Sequence, residues 1–181
     1  GKILQAYLDD FHDLMSRQRS VVSKRRAFDR TVTKAKNVGS RRFFNRVFSD
    51  YRGRLYFQDT GLSYQGGDLQ RAIVQFPQGK VIQSSDWKFL WLHLANAWGE
   101  KGSWEERVDT ATSMQSDIVR FATSPVDTYD EWSRAADKWQ FIRTCFEIRT
   151  LLDHPEHPSK LIVEQDQSTS CLQHMGLLMD N

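Results

Sequence analysis

The chain has 181 residues, 39% of them apolar and 27% charged, with a net charge of +2. That is enough for one domain of ordinary size with its own core. No apolar run approaches the roughly 18 residues of a spanning helix, Gly1-Lys2-Ile3-Leu4-Gln5 does not read as a secretory leader, and Cys145 and Cys171 alone build neither a disulfide framework nor a four-thiolate zinc site. Secreted, membrane and zinc-ribbon classes are therefore excluded, and a reducing cytoplasm is the expected setting. An opening Gly1 in place of Met predicts that the chain starts inside a longer one.

In chain order, Ile3, Leu4, Tyr7, Leu8, Phe11, Leu14 and Met15 recur at helical spacing, with Asp9, Asp10 and Asp13 on the other side. A basic helix continues through 21–36 with Val21, Phe28, Val32 and Ala35 as its apolar stripe, and Asn37-Val38-Gly39-Ser40 reads as its stop. Residues 54–58 have strand character, 61–67 read as loop, and 68–76 as a short helix ended by Pro77. Ser84 or Ser85 can cap a helix carrying Trp87, Phe89, Leu90, Trp91, Leu94 and Trp98. Ser103-Trp104-Glu105-Glu106 is a capping-box pattern that opens a helix to about Phe121, broken by Ser124-Pro125. A further helix fits 139–152, followed by the His154-Pro155-Glu156-His157-Pro158 loop. Residues 160–165 have strand length, and Leu172, Met175, Leu178 and Met179 mark a last helix. The predicted class is α+β, mostly helical.

Charge is unevenly distributed. From Arg17 to Arg54 there are 13 Lys and Arg against only Asp29 and Asp50, a local net of +11. A block this dense repels itself unless it is solvated or meets a polyanion. It is rich in Arg and interleaved with Phe28, Phe43, Phe44, Phe48 and Tyr51. Arg forks match phosphate geometry, so nucleic acid is favoured over a merely solvated face.

Most other constellations have plain readings. His154 and His157 lie between prolines with no third ligand at metal spacing, which reads as a solvated loop. Trp87, Trp91 and Trp98 read as core, and His93 and His174 as structural histidines on helices. No glycine pattern builds a phosphate loop, and Ser168-Thr169-Ser170 lacks the glycines of a nucleophile elbow. The unit Ile162-Val163-Glu164-Gln165-Asp166 is different, because a carboxylate at the end of a buried strand is stiffly held beside backbone carbonyls. Such oxygens suit magnesium-assisted phosphoryl transfer. From geometry alone the simpler assignment is that Asp166 caps the last helix.

Two motifs settle the choice by resemblance. Asp50-Tyr51-Arg52-Gly53-Arg54-Leu55-Tyr56 resembles the Asp-x-x-Gly-Arg element of single-subunit, bacteriophage-type DNA-dependent RNA polymerases. Asp166-Gln167-Ser168-Thr169-Ser170-Cys171-Leu172-Gln173-His174 resembles the first palm motif of that family, Asp-Gly-Ser-Cys-Ser-Gly-Ile/Leu-Gln-His. Between them, Trp91-Leu92-His93-Leu94-Ala95-Asn96 and Cys145-Phe146-Glu147 are similar to its helical insertion, and the basic helix before Asp50 resembles the one joining thumb to palm.

The resemblance implies a layout of thumb end over 1–38, first part of the palm over 39–83, helical insertion over 84–158, and palm strand and helix over 159–181. It implies that Asp166 is the first catalytic aspartate, ligating magnesium while the RNA 3′-hydroxyl attacks the α-phosphate of an NTP. Gln167 stands where the family has a glycine whose carbonyl also faces a metal, so the carbonyl survives and the conformational freedom does not. Arg54 aligns with the arginine that holds the RNA–DNA hybrid, Asp50 and Gly53 shape its turn, and Lys24, Arg25 and Arg26 assist it. Cys171 replaces another glycine, where similar DNA polymerases carry a Glu that blocks a 2′-hydroxyl. Cys is small, which keeps the position permissive for ribonucleotides.

One aspartate does not complete a two-metal cage. The family's His-Asp-Ser pattern and the Lys and Tyr of its fingers are absent from these 181 residues. The expectation is therefore a polymerase subunit or fragment completed by a second chain that brings the remaining palm and fingers, with DNA template, RNA product and NTPs as its other partners and no membrane. The rival reading is a non-catalytic nucleic-acid-binding protein, and a weaker one is a piece of a DNA polymerase.

Overall fold

A computed structural model describes residues 2–58 and 61–164. Among these, helices dominate and strands are short, in agreement with the α+β expectation. The region of Asp166, Gln167, Cys171, His174 and the expected last helix lies outside the described residues.

The two expected N-terminal helices are one element, α1 (Lys2–Val38). It stops where the sequence predicts. Gly39 takes φ +56° and its N–H returns to the Ala35 carbonyl at 2.8 Å, a conformation open to a residue without Cβ. The apolar stripe, however, is not buried. Leu4, Tyr7, Leu8, Phe11, Leu14 and Val21 are exposed, and among the α1 residues whose burial is described only Thr31 is buried. Packing begins near Phe28, whose ring lies 6.1 Å from Trp139. Helical periodicity identifies an apolar face, but a neighbour is needed to bury it.

A hairpin follows, with β1 (Val47–Ser49) antiparallel to β2 (Leu55–Phe57) and Phe48 opposite Tyr56. Then come a loop that buries Leu62 and Ser63, and α2 (Asp68–Ile73), which ends earlier than the sequence suggests. β3 (Lys80–Val81) pairs later with β4 (Pro158–Ser159). The strand expected over 160–165 is a correction. Residues 160–164 form no ladder, because a strand needs a neighbour and the described residues supply one only at 158–159.

The core is a helical body of α3 (Trp87–Trp98), α4 (Trp104–Ser113), α5 (Gln115–Thr123), α6 (Tyr129–Trp132) and α7 (Lys138–Asp153). α3 is apolar nearly all round and buries Leu90 through Ala95, which suits a central helix. Leu94, Ile118, Phe141, Cys145 and Ile148 are fully buried, and Phe141 lies 5.0 Å from Trp98 and 6.1 Å from Phe121, ring to ring. Removing such a ring costs about 3–5 kcal/mol. The tryptophans of α3 belong to this core, with Trp91 buried and Trp87 and Trp98 packed against it. His93 is buried beside them.

The caps divide. Ser103 and Glu106 form the expected capping box, with Glu106 N–H donating to Ser103 Oγ at 3.2 Å and Ser103 N–H to Glu106 Oε2 at 2.8 Å. Ser84 and Ser85 do not cap α3; the preceding position is Asp86, whose side chain makes no cap bond. The helix expected to run on to Phe121 breaks at Met114. The hydroxyls of Thr110, Thr112 and Ser113 donate back to the carbonyls of Glu106, Val108 and Thr110, and such back-bonding bends a helix. Among the described residues no helix is long and apolar enough to cross a membrane.

Candidate nucleic-acid interface

The turn between β1 and β2 is built by its own residues. Asp50 Oδ1 accepts the N–H groups of Arg52 and Arg54, each at 2.9 Å. Asp50 N–H donates to the Arg54 carbonyl at 2.9 Å, and Gly53 N–H to the Asp50 carbonyl at 3.0 Å. Gly53 adopts φ +76°, which the tight return requires and which a side chain would strain. A short acceptor at Asp50 and a glycine three residues on therefore dictate this turn locally.

The side chains of the turn face outward. Arg52 reaches the Tyr51 hydroxyl at 2.9 Å, its guanidinium 5.1 Å from the ring centre. Arg54 is exposed, and its guanidinium has no partner among the described residues. Asp50, Arg52, Gly53 and Arg54 are thus held through their backbone groups, while the Arg54 guanidinium is left without a partner among the described residues.

Gln65 supports the hairpin from the side. Its amide oxygen accepts Phe57 N–H at 2.9 Å and its amide nitrogen donates to the Leu55 carbonyl at 3.1 Å, so one side chain stands in for a third strand. Tyr64 adds an edge contact to Phe57, rings 4.6 Å apart. Sequence reasoning missed Gln65, since nothing local marks a glutamine in a loop as a strand partner.

The basic residues of α1 are spread around the helix. Lys24, Arg25 and Arg26 are all exposed, but three successive helical residues fan through about 200° and cannot share a face. Arg26 instead shares one face with Arg19 and Arg30, around Met15 and Val22. No hydrogen bond or ion pair joins that face to Arg54 among the described residues. At the end of α1, Arg41 donates to the carbonyls of Asn37 and Val38 and so caps the helix, a cation at the negative end of its dipole. A cleft of about 460 Å³ opens beside it, with Arg42, Phe57, Leu62 and Lys160 on its walls.

A second polar junction lies where α2 meets α7. Asp68 accepts the N–H groups of Trp139 and Gln140 at 2.8 and 2.9 Å, capping α7 from another element. Arg71 pairs with Glu164 at 2.7 Å and lies 3.4 Å from Asp137. Burial, with the Arg71 charge, pushes His93 down to about 4, only partly opposed by Asp137, so its ring is neutral. The sequence singled out none of Asp68, Arg71 or Glu164 for this role.

Asp166 and Gln167, the expected metal ligands, lie outside the described residues. Among the described residues no three His, Cys, Asp or Glu side chains gather to hold a metal ion. A carboxylate and a main-chain carbonyl are hard oxygen donors of the kind magnesium prefers.

Comparison with known proteins shows the family to which the chain is related. The family described as DNA-dependent RNA polymerase matches residues 80–181. The chain is 35% identical over 133 residues to the mitochondrial DNA-directed RNA polymerase of Neurospora crassa, covering 71% of this chain and 9% of that protein. It is 34% identical over 135 residues to DNA-directed RNA polymerase 1B, mitochondrial, of Nicotiana tabacum, covering 71% and 14%. The mitochondrial enzyme of Homo sapiens is 30% identical over 134 residues, covering 71% and 11%. The chain therefore spans only a small part of the length of these relatives.

Proposed function

Because the chain belongs to the DNA-dependent RNA polymerase family, of the single-subunit type that includes mitochondrial enzymes, we propose that it forms the thumb end, the first part of the palm and the helical insertion of such a polymerase. The assembled enzyme makes RNA on a DNA template from NTPs. The observation that carries this reading is the turn at Asp50, which spends one carboxylate and one glycine on holding the backbone and leaves the Arg54 guanidinium free for a phosphate.

In this reading α1 is the thumb end (1–38), the hairpin with α2 the first palm part (39–83), α3–α7 the insertion (84–158) and 159–181 the palm segment that carries Asp166. Arg54 positions the RNA–DNA hybrid, and the face of Arg19, Arg26 and Arg30 adds sequence-independent phosphate contacts. The Asp166 carboxylate and the Gln167 carbonyl hold magnesium, which when bound neutralises charge on the reacting phosphates. A second polypeptide supplies the remaining palm and the fingers. The exposed apolar side chains of α1 and of the hairpin, Phe11, Leu14, Val47, Phe48 and Leu55 among them, support a further protein surface over them. A host cytoplasm is the proposed setting, in keeping with the free, buried Cys145.

Reconstitution tests the reading. Alone, the chain should bind nucleic acid in a salt-sensitive, sequence-tolerant way and synthesise nothing. With a polypeptide bearing the His-Asp-Ser element and the triphosphate-binding Lys and Tyr it should make templated RNA. Binding without synthesis in every combination would leave a nucleic-acid-binding protein, and synthesis by the purified chain alone would remove the second polypeptide.

A further inference from the structure

The hairpin that carries Arg54 has little packing of its own. Val47, Phe48, Leu55 and Tyr56 are exposed, and two strands of three residues do not hold a position by themselves. Its ladder alternates. Asp50 N–H bonds the Arg54 carbonyl and Gln58 N–H the Arg46 carbonyl, so the backbone groups of Leu55 and Phe57 point to the other edge of β2. Among the described residues no strand lies along that edge.

Gln65 takes one group from each residue: Oε1 accepts the Phe57 N–H at 2.9 Å and Nε2 donates to the Leu55 carbonyl at 3.1 Å. Leu55 follows Arg54 directly. Gln65 is anchored in turn, because its N–H donates to Oγ of the buried Ser63 at 3.0 Å and Gly66 N–H closes the same turn on the Ser63 carbonyl at 3.2 Å. That loop buries Leu62 at one end and reaches Asp68, the cap of α7, at the other. Contacts therefore run from the helical body through Ser63 and Gln65 to the residue beside Arg54. Gln65 is exposed, so water competes for both of its bonds and they add little to stability. What they add is direction, since one amide meets a carbonyl and an N–H of alternate residues in a single register.

We propose that Gln65 is a positioning residue for Arg54: by tying Leu55 and Phe57 to the loop at Ser63, it aims the turn from Asp50 to Arg54 and with it the guanidinium that meets the RNA–DNA hybrid. The inference rests on the polymerase reading above, in which Arg54 contacts a hybrid phosphate. Gln65 touches no nucleic acid in this role; it acts through β2.

The test uses the assembled polymerase carrying Gln65→Met, Gln65→Asn, Arg54→Ala, or Gln65→Met together with Arg54→Ala. Gln83→Met, at an exposed loop glutamine with no role assigned to its side chain, is the control. Arg54→Ala should weaken hybrid binding about 10-fold, the scale of one lost charge-assisted bond. Gln65→Met should weaken it about 3-fold, because the cation remains and only its placement is lost. Products should shorten and the salt slope should fall, as in Arg54→Ala. Gln65→Asn keeps the amide but is one methylene too short for both bonds, and should behave like Gln65→Met. In the Arg54→Ala background, Gln65→Met should change hybrid binding by less than about 1.5-fold, since the group it aims is gone. Amide exchange at Phe57 should quicken in both Gln65 variants and not in the control, while half-saturating NTP and the urea midpoint stay at wild-type values. A merely structural role would lower the midpoint and add its full effect to that of Arg54→Ala. Should Gln65→Met fail to fold, the polar Gln65→Asn, alone and with Arg54→Ala, answers in its place. Wild-type hybrid binding and product length in folded Gln65→Asn, or full additivity with Arg54→Ala, would overturn the positioning role while leaving the polymerase reading standing. A wild-type assembly that makes no RNA, or an Arg54→Ala variant that binds hybrid normally, would instead overturn the reading on which the inference rests.

Discussion

Asp50 and Arg54 close their turn from both sides: the Asp50 N–H donates to the Arg54 carbonyl and the Asp50 carboxylate accepts the Arg54 N–H, each at 2.9 Å. The backbone of Arg54 is thereby held while its guanidinium is not. A charged group on a held backbone loses less freedom when it binds a phosphate.

The turn itself can be tested by comparing two substitutions. Asp50→Asn keeps an oxygen at the Oδ1 position and should preserve the protection of the Arg52 and Arg54 amides against hydrogen exchange. Asp50→Ala removes the acceptor of both and should destabilise the hairpin by about 1–2 kcal/mol. Equal protection in the two variants would show that Gly53 alone sets the turn.

Arg54→Ala leaves every backbone bond of the turn in place and removes only the outward cation. The assembled polymerase should release shorter products, and binding should become less steeply dependent on salt, by about one phosphate contact. Product-length gels and binding isotherms across salt concentrations measure both. An unchanged salt slope would separate Arg54 from the hybrid.

Asp166→Asn should abolish RNA synthesis by the assembled enzyme while nucleic-acid binding stays nearly intact, because the phosphate contacts proposed above lie on α1 and the hairpin. Gel-based extension and filter binding on the same preparation check the two halves. Near-normal extension would return Asp166 to the role of a helix cap.

His93 makes stability depend on pH. Its folded value of about 4 lies below the ordinary 6.5, so between those values the unfolded chain binds the additional proton. The stability due to a neutral His93 is complete above pH 6.5 and is lost as pH falls toward 4, about 3 kcal/mol in all. Urea unfolding at pH 7, 5.5 and 4.5 should show His93→Gln losing less stability with acidification than the wild type. Because Asp68, Asp137 and Glu164 are present in both proteins, the difference isolates the histidine. Parallel curves would place the acid sensitivity elsewhere.

What the sequence determined by itself was what neighbours along the chain decide. The stop of α1 at Gly39 and the capping box of Ser103 and Glu106 depend on backbone groups within a few residues, so spacing and side-chain chemistry were sufficient; the turn from Asp50 to Arg54 is equally local, and a motif resemblance marked it. Tertiary structure decided the rest. Whether the apolar stripe of α1 is covered depends on what lies against it, and no property of Leu4 or Phe11 specifies that. Residues 160–164 read as a strand yet lack a ladder, because pairing requires a second segment in register. Gln65 completes the edge of β2, Asp68 caps a helix 71 residues away, and Arg71 reaches Glu164 across 93. Such partners are chosen by the path of the whole chain, and their side chains carry no local mark of the choice.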